Sequence, residues 1–497
     1  MSHGHARLGE SNTPRSSFYS QGRFGRLFPS LPPFAADTRL LRDALAELGG
    51  SGGPMDPGDD LSDPITLITD PAKSLENPDN PTLTAGFTFL GQFVDHDMTF
   101  DPTSSLAREQ DPEAIRNFRI PALDLDSVYG GGPSASPFLY DASVDHGGTT
   151  LLTEEIPGSA AVSVDGTTRF DLPRNSQGRA LTGDPRNDEN LIVSQFHLAL
   201  LRFHNTVVAD VEAELGAGHT PGEVFAEAQR VVRWHYQWLI LHEFLPRTVG
   251  PDIAANVLDK GPKHFKWRHE PYIPVEFSVA AYRFGHSQVR SSYRANFGTS
   301  ATVAAQQFFA LLIDPAAADP HDPTDLRGGL RAPRRFIDWQ TFFDFGDGRK
   351  RQNKRIDTKL SSVLFDLMGQ SEGEPTSLAT RNLLRSLTMG VPSGQRVAKA
   401  MKLPALDPAE LDDLTPFHLE KRAPLWFYVL READVMADGE HLGPVGGRIV
   451  AEVIFGLIDG DGQSYLNQDP DWHPTYGQGG AFTTADLLEA AGVVASL

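Results

Sequence analysis

The chain has 497 residues, 40% of them hydrophobic and 22% charged, which is the balance of an ordinary globular protein. Its net charge of −21 disfavours nucleic acid and anionic membrane partners, while leaving carboxylates free to hold divalent cations. Cysteine is absent, which excludes disulfides, thiolate nucleophiles and thiolate-held iron, and no apolar run reaches the roughly 18 residues of a membrane span.

Residues 1–35, rich in Ser, Gly, Pro and Arg, read as an extended arm, and 36–497 as one catalytic domain. The first residues lack an apolar signal core. The expected location is therefore cytoplasmic, or outside the cell by a route other than Sec. Residues 50–82 read as loop, and the first helix is expected from Thr84 to Met98. From 111 to 182 no amphipathic period appears, only β-like pieces at Leu151–Thr153 and Ala161–Val164. Apolar residues at a 3.6 period then predict helices over Leu191–Glu214 and Ala226–Phe244, the latter closed by Pro246. Further helices are expected at 275–290, 302–313, 356–368, 377–389, 408–413, 420–435 and 446–458, with a surface loop over Pro315–Arg335. The fold class that follows is mainly α, one large helical domain with long irregular loops and little β.

Within the first helix lies Gly91-Gln92-Phe93-Val94-Asp95-His96-Asp97. The flanking Phe87, Phe89 and Leu90 carry it toward the interior, where carboxylates need a cation, a metal or a covalent partner. Gln92 and His96 are four apart and share a face, and Asp97 turns about 100° away toward a neighbouring site. Asp124-Leu125-Asp126-Ser127 alternates oxygen side chains in a loop, a pattern suited to calcium. Arg186 and Glu189 stand three apart just before the helix at Leu191 and can face one site. In Tyr282-Arg283-Phe284-Gly285-His286, the glycine would let a flat ligand approach a histidine able to bind haem iron. Asn382, in Arg381-Asn382-Leu383-Leu384-Arg385, could accept that histidine's free N–H. The pairs His197/His204 and His235/His242 read as packing, Arg349-Lys350-Arg351 with Lys354 and Arg355 as a solvated loop. The run Asp459-Gly460-Asp461-Gly462 lacks the loop glycine and bidentate Glu of an EF-hand and is set aside.

Taken in order, these motifs resemble the animal-type haem peroxidases of the peroxidase–cyclooxygenase superfamily. The resemblance implies haem b, calcium, hydrogen peroxide as oxidant, and a halide or phenolic donor as reductant. It implies His96 as distal base with Gln92 beside it, Arg186 as catalytic arginine and His286 as iron ligand backed by Asn382. Arg283 and Arg385 fall at propionate-binding positions, and Asp95 and Glu189 where ester bonds to haem form in mammalian members. Asp97, Asp124, Asp126 and Ser127 match calcium ligands. Two positions depart: Asn190 stands where a sulfonium-forming methionine would be, and Ile120 where a calcium-binding threonine would be. Without cysteine or a signal, a bacterial-type member is implied. The alternatives are a fatty-acid dioxygenase of the same fold, whose radical tyrosine would fall at Arg283, and a non-catalytic haem module.

Overall fold

The computed structural model describes residues 22–63, 66–101, 106, 111–112, 115–119, 121–143, 147–267, 271–298, 307–310, 331–367 and 373–497. Helices dominate, and the strands are short. β1 (Gly22–Gly25), β2 (Asp79–Thr84), β3 (Arg116–Asn117), β4 (Glu154–Glu155), β5 (Phe170–Asp171), β6 (Ile273–Pro274), β7 (Ser292–Asn296), β8 (Gln307–Ala310) and β9 (Gln352–Lys354) form four small sheets. β1 lies between β3, antiparallel, and β6, parallel; β2–β9, β4–β5 and β7–β8 are antiparallel pairs. The described part of the stretch read as an arm is thus built into the body. Phe24, Leu27, Phe28 and Phe34 are buried, and Glu276 accepts the Leu27 and Phe28 N–H groups.

Among the helices of the described residues, those that frame the core include α1 (Arg39–Gly49), α2 (Gly86–Met98), α3 (Leu191–Leu215), α4 (Pro221–Leu239), α5 (Leu378–Thr388), α6 (Leu425–Ala437) and α7 (Pro444–Asp459). Their starts are chemically specified: Asn190 accepts the Val193 N–H, Ser377 the Thr380 N–H, and Thr220 forms a reciprocal capping box with Glu223. α3 packs on α4 and on α2, α6 on α7, and α5 on α1. α7 is enclosed on nearly every side, and apolar residues fill most of it.

Several expectations are corrected. Over 275–290 only Val275–Ser278 is α-helical; Ala280 breaks away (φ −131°, ψ −83°), and Ala281–Gln288 is a 3₁₀ stretch. Nearly every residue there is buried, so the apolar pattern carries no helical period to read. Within 302–313, residues 307–310 are strand β8. Among the described residues of 356–368 only Ser362–Phe365 is helical, because side chains capture the backbone: Ser287 accepts the Asp357 N–H and Asp357 the Lys359 N–H. Pro246 does not close its helix. A π-turn at Ile240–Phe244, with the Leu245 N–H reaching Ile240 O, carries the chain on to Val249. The β-like pieces fall beside the real pair β4–β5. The basic run is no solvated loop either, since Lys354 is fully buried against Asp357, 2.6 Å away. Ile120 and most of Pro315–Arg335 lie outside the described residues.

Candidate active site

α2 is anchored by its apolar face. Phe87, Phe89, Leu90, Phe93, Val94 and Met98 are buried, each contributing roughly 1.5–3 kcal/mol of hydrophobic stabilisation. Phe93 meets the rings of Phe196 in α3 and Tyr236 in α4, at 5.3 and 6.2 Å between centroids. This packing fixes the helix rotation, and with it the directions of Gln92, Asp95, His96 and Asp97.

A cavity of about 320 Å³ opens beside this helix, lined by Gln92, Asp95, His96, Glu189, Arg283 and His286, among others. Gly285 is on its wall, and a Cβ built there would meet nothing within 4 Å. The glycine therefore widens the cavity next to His286. Both histidines are neutral. Burial, then the nearby Arg186, lowers His96 to about 3; burial, then Arg283, lowers His286 to about 3. Glu189 is pushed the other way, to about 7, by burial against the opposing pull of Arg186. Burial also raises Asp95, with Arg186 and Arg283 opposing. Gln92 Oε1 accepts from Asn190 Nδ2 at 3.3 Å, so Asn190 steadies the glutamine.

His96 has a partner that the motif did not announce. Its Nδ1 lies 2.8 Å from Asn187 Oδ1, and Asn187 Nδ2 lies 3.0 Å from His197 Nδ1. An amide oxygen only accepts, so His96 Nδ1 carries the proton and Nε2 keeps its lone pair. His197, expected as packing, instead orients that amide. His204 and His235 are packing groups: His204 bonds Tyr129 OH and Thr149 O, and His235 bonds Val231 O and accepts the Thr475 N–H. The signal available in the sequence was a buried amide one residue after Arg186.

On the opposite wall, Arg283 Nη1 donates to Asn382 Oδ1 at 2.9 Å, and Asn382 Nδ2 stands 2.7 Å from His286 Nδ1. The expected role of Asn382 as acceptor is therefore reversed in this arrangement, its oxygen being taken by Arg283. Arg186 and Arg385 line an adjoining chamber of about 180 Å³, together with Asp95 and Arg283. Asp184 holds the Arg186 guanidinium (Nη2–Oδ2 2.7 Å), which also donates to the His96 and Thr99 carbonyls. The sequence did not single out Asp184.

The third cluster sits behind α2. Asp97, Asp124 and Asp126 are all buried, with carboxylate oxygens within 4.8 Å of one another. Asp97 Oδ2 accepts the Leu125 N–H at 3.2 Å, whereas Asp97 Oδ1 and Ser127 Oγ are buried without a hydrogen-bond partner. Leu125 is held in the left-handed region (φ 60°), which turns the loop onto Asp97. The fully buried Arg119, another residue missed in the sequence, pairs with Asp126 at 2.6 Å and Asp184 at 2.8 Å. Burial, with Asp126 and Asp124 adding to it, drives Asp97 well above the carboxylate range.

Residues 112–425 match the family model for animal haem peroxidase. The chain belongs to the animal haem peroxidase family. Human thyroid peroxidase is 28% identical over 312 residues, covering 58% of this chain and 31% of that protein. A peroxidase-like protein of Margaritifera margaritifera is 36% identical over 113 residues, covering 22% and 14%. The chain therefore spans about a third or less of the length of these relatives. Among solved structures, peroxidase A from Dictyostelium discoideum superposes with a TM-score of 0.62 at 17% identity, over 99% of this chain and 98% of that one. Fatty acid alpha-dioxygenase from Oryza sativa superposes at 0.53 and 14% identity, over 98% and 86%. Both likenesses describe the fold, which is the helical one this family adopts.

Proposed function

We propose that this chain is a haem-dependent peroxidase, in which His286 holds the haem iron and His96 serves as the acid–base group for hydrogen peroxide. The observation that carries the reading is the pair of neutral histidines on the wall of one cavity, His96 with a fixed lone pair. The residues fit the group. Gly285 leaves room for a flat macrocycle, and Arg283 and Arg385 offer cations to its carboxylates. For Nε2 of His286 to bind a metal, Nδ1 must carry the proton. Asn382 must then turn its amide oxygen toward the ring, which frees Arg283 for an anionic partner.

Haem, when bound, would supply the redox chemistry by which peroxide is reduced and a halide or phenol oxidised. The chain's residues manage protons and charge. His96 Nε2 takes a proton from one peroxide oxygen and returns it to the departing one. Arg186, held by Asp184 next to Asp95, sets a positive field on that side of the site. Asp95 and Glu189 present carboxyls to the cavity, and they would be the groups to ester-link a macrocycle. Asp97, Asp124, Asp126 and Ser127 would hold calcium, a hard cation that matches their oxygen set. That cation would lock the turn directly after His96.

A second reading, a fatty-acid dioxygenase, draws support from Tyr282, which lines the cavity. Its segment is 3₁₀, so each residue rotates by about 120° rather than 100°. The Tyr282 hydroxyl is committed to Gly91 O at 3.1 Å and its ring to Phe277 at 4.7 Å. Hemin titration followed by the Soret band tests the iron ligand. Wild type should bind one equivalent and His286→Ala should lose the histidine-ligated spectrum; an unchanged spectrum in the variant refutes the assignment. Oxidation of a phenol with peroxide, against oxygen uptake with palmitate, then separates the two readings.

A further inference from the structure

The basic run near residue 350 builds a second site. A pocket of about 120 Å³ lies between β7, β9 and α2's neighbours, lined by the cations Arg290, Arg294, Lys350 and Arg351 and one carboxylate, Asp79. Asp79 is taken by Arg290, and Lys350 by Asp344. Arg294 is only 4% exposed, yet no carboxylate among the described residues lies within ion-pair distance of it. Its Nη2 donates to the Arg349 carbonyl, its plane rests 5.0 Å from the Phe297 ring, and its Nε has no hydrogen-bond partner. Arg351 Nε is likewise buried and unpartnered. Burial and then the neighbouring Arg351 lower Arg294 to about 10 although Asp347 and Asp338 pull the other way, and it stays charged at neutral pH. A buried cation facing other cations is unfavourable until an anion completes it.

We propose that this pocket binds a small oxyanion between the guanidiniums of Arg294 and Arg351, with Lys350 at the rim. Guanidinium forks match planar carboxylates and phosphate oxygens with paired N–H donors. Inorganic phosphate and the carboxylate of a small acid share that chemistry. The site is independent of the haem reading, although it adjoins the cavity. Val289 lines one and Arg290 the other, and Phe89 of α2 meets Tyr293 edge-on at 5.0 Å.

The test is calorimetric titration of the haem-loaded full chain with sodium phosphate, and separately with sodium acetate, at ionic strength held constant with chloride. One saturable site is expected, with Arg351→Gln and Arg294→Gln each weakening it at least tenfold. Saturation by phosphate alone identifies a tetrahedral anion, and equal saturation by acetate a carboxylate; either supports the site. No saturable binding of either anion, or affinity unchanged in the variants, overturns it. Arg351 is partly exposed, so Arg351→Gln decides alone if Arg294→Gln does not fold.

Discussion

His96 Nδ1 stands 2.8 Å from Asn187 Oδ1, and this contact decides which ring nitrogen faces the cavity. Asn187→Ala should leave haem uptake unchanged and slow peroxide cleavage about 10–100-fold, the usual effect of losing a ring-orienting partner. Stopped-flow spectroscopy at the Soret band checks this. A rate equal to wild type would mean that the imidazole keeps its tautomer without the amide.

Behind the same helix, Asp97, Asp124 and Asp126 lie buried together, with Arg119 paired to Asp126, so a cation should contribute strongly to stability. At a hundredfold excess over its Kd, a bound ion adds about 2.7 kcal/mol. Chelation should therefore lower the melting temperature by several degrees, with recovery on adding calcium, and Asp97→Ala should abolish the response. Indifference to chelator and calcium alike would remove the metal from the account.

Gly86, the first residue of α2, leaves no room for a side chain, because a Cβ there would lie 2.4 Å from Phe343 Cζ. Gly86→Ala should destabilise the fold by about 1–3 kcal/mol, the usual range for overpacking. By tilting α2 it should also weaken haem binding. Denaturant titration measures the first effect; an unchanged midpoint would show that Phe343 moves aside.

Glu432 is fully buried and accepts the Val445 and Gly446 N–H groups at the start of α7. Burial nonetheless lifts it from 4.5 to about 8. The folded chain thus retains a proton that the unfolded chain releases near 4.5. Between those values folding takes up a proton, so this group's contribution to stability falls as pH rises, by at most about 1.4 kcal/mol per pH unit. Glu432→Gln should flatten the fall in melting temperature between pH 5 and 8. Parallel profiles would place the titration elsewhere.

How much of this was legible in the sequence depended on whether a residue's role lies in its own motif. The α2 motif, Arg186 with Glu189, and His286 behind Gly285 each carry their chemistry within a few residues, and the structure brings them to two adjoining chambers. The mainly helical fold was also readable, since α3 and α4 keep a wet face and hence a period. The stretch around His286 carries no readable helical period because most of it is enclosed. Asn187 and Arg119 stayed hidden because a partner of each comes from a distant part of the chain, His96 for the first and Asp184 for the second. Arg119 joins Asp126 to Asp184, for instance, 65 residues away in sequence.

The central claim is that His96 moves the peroxide proton at a haem held by His286. The most direct measurement is the rate at which stoichiometric hydrogen peroxide shifts the Soret band of haem-loaded protein, compared between wild type and His96→Ala. The account predicts full haem binding in both, with the shift slowed at least a hundredfold in the variant, consistent with a typical acid–base contribution of about 10²–10⁴. A variant that reacts with peroxide as fast as wild type would contradict it.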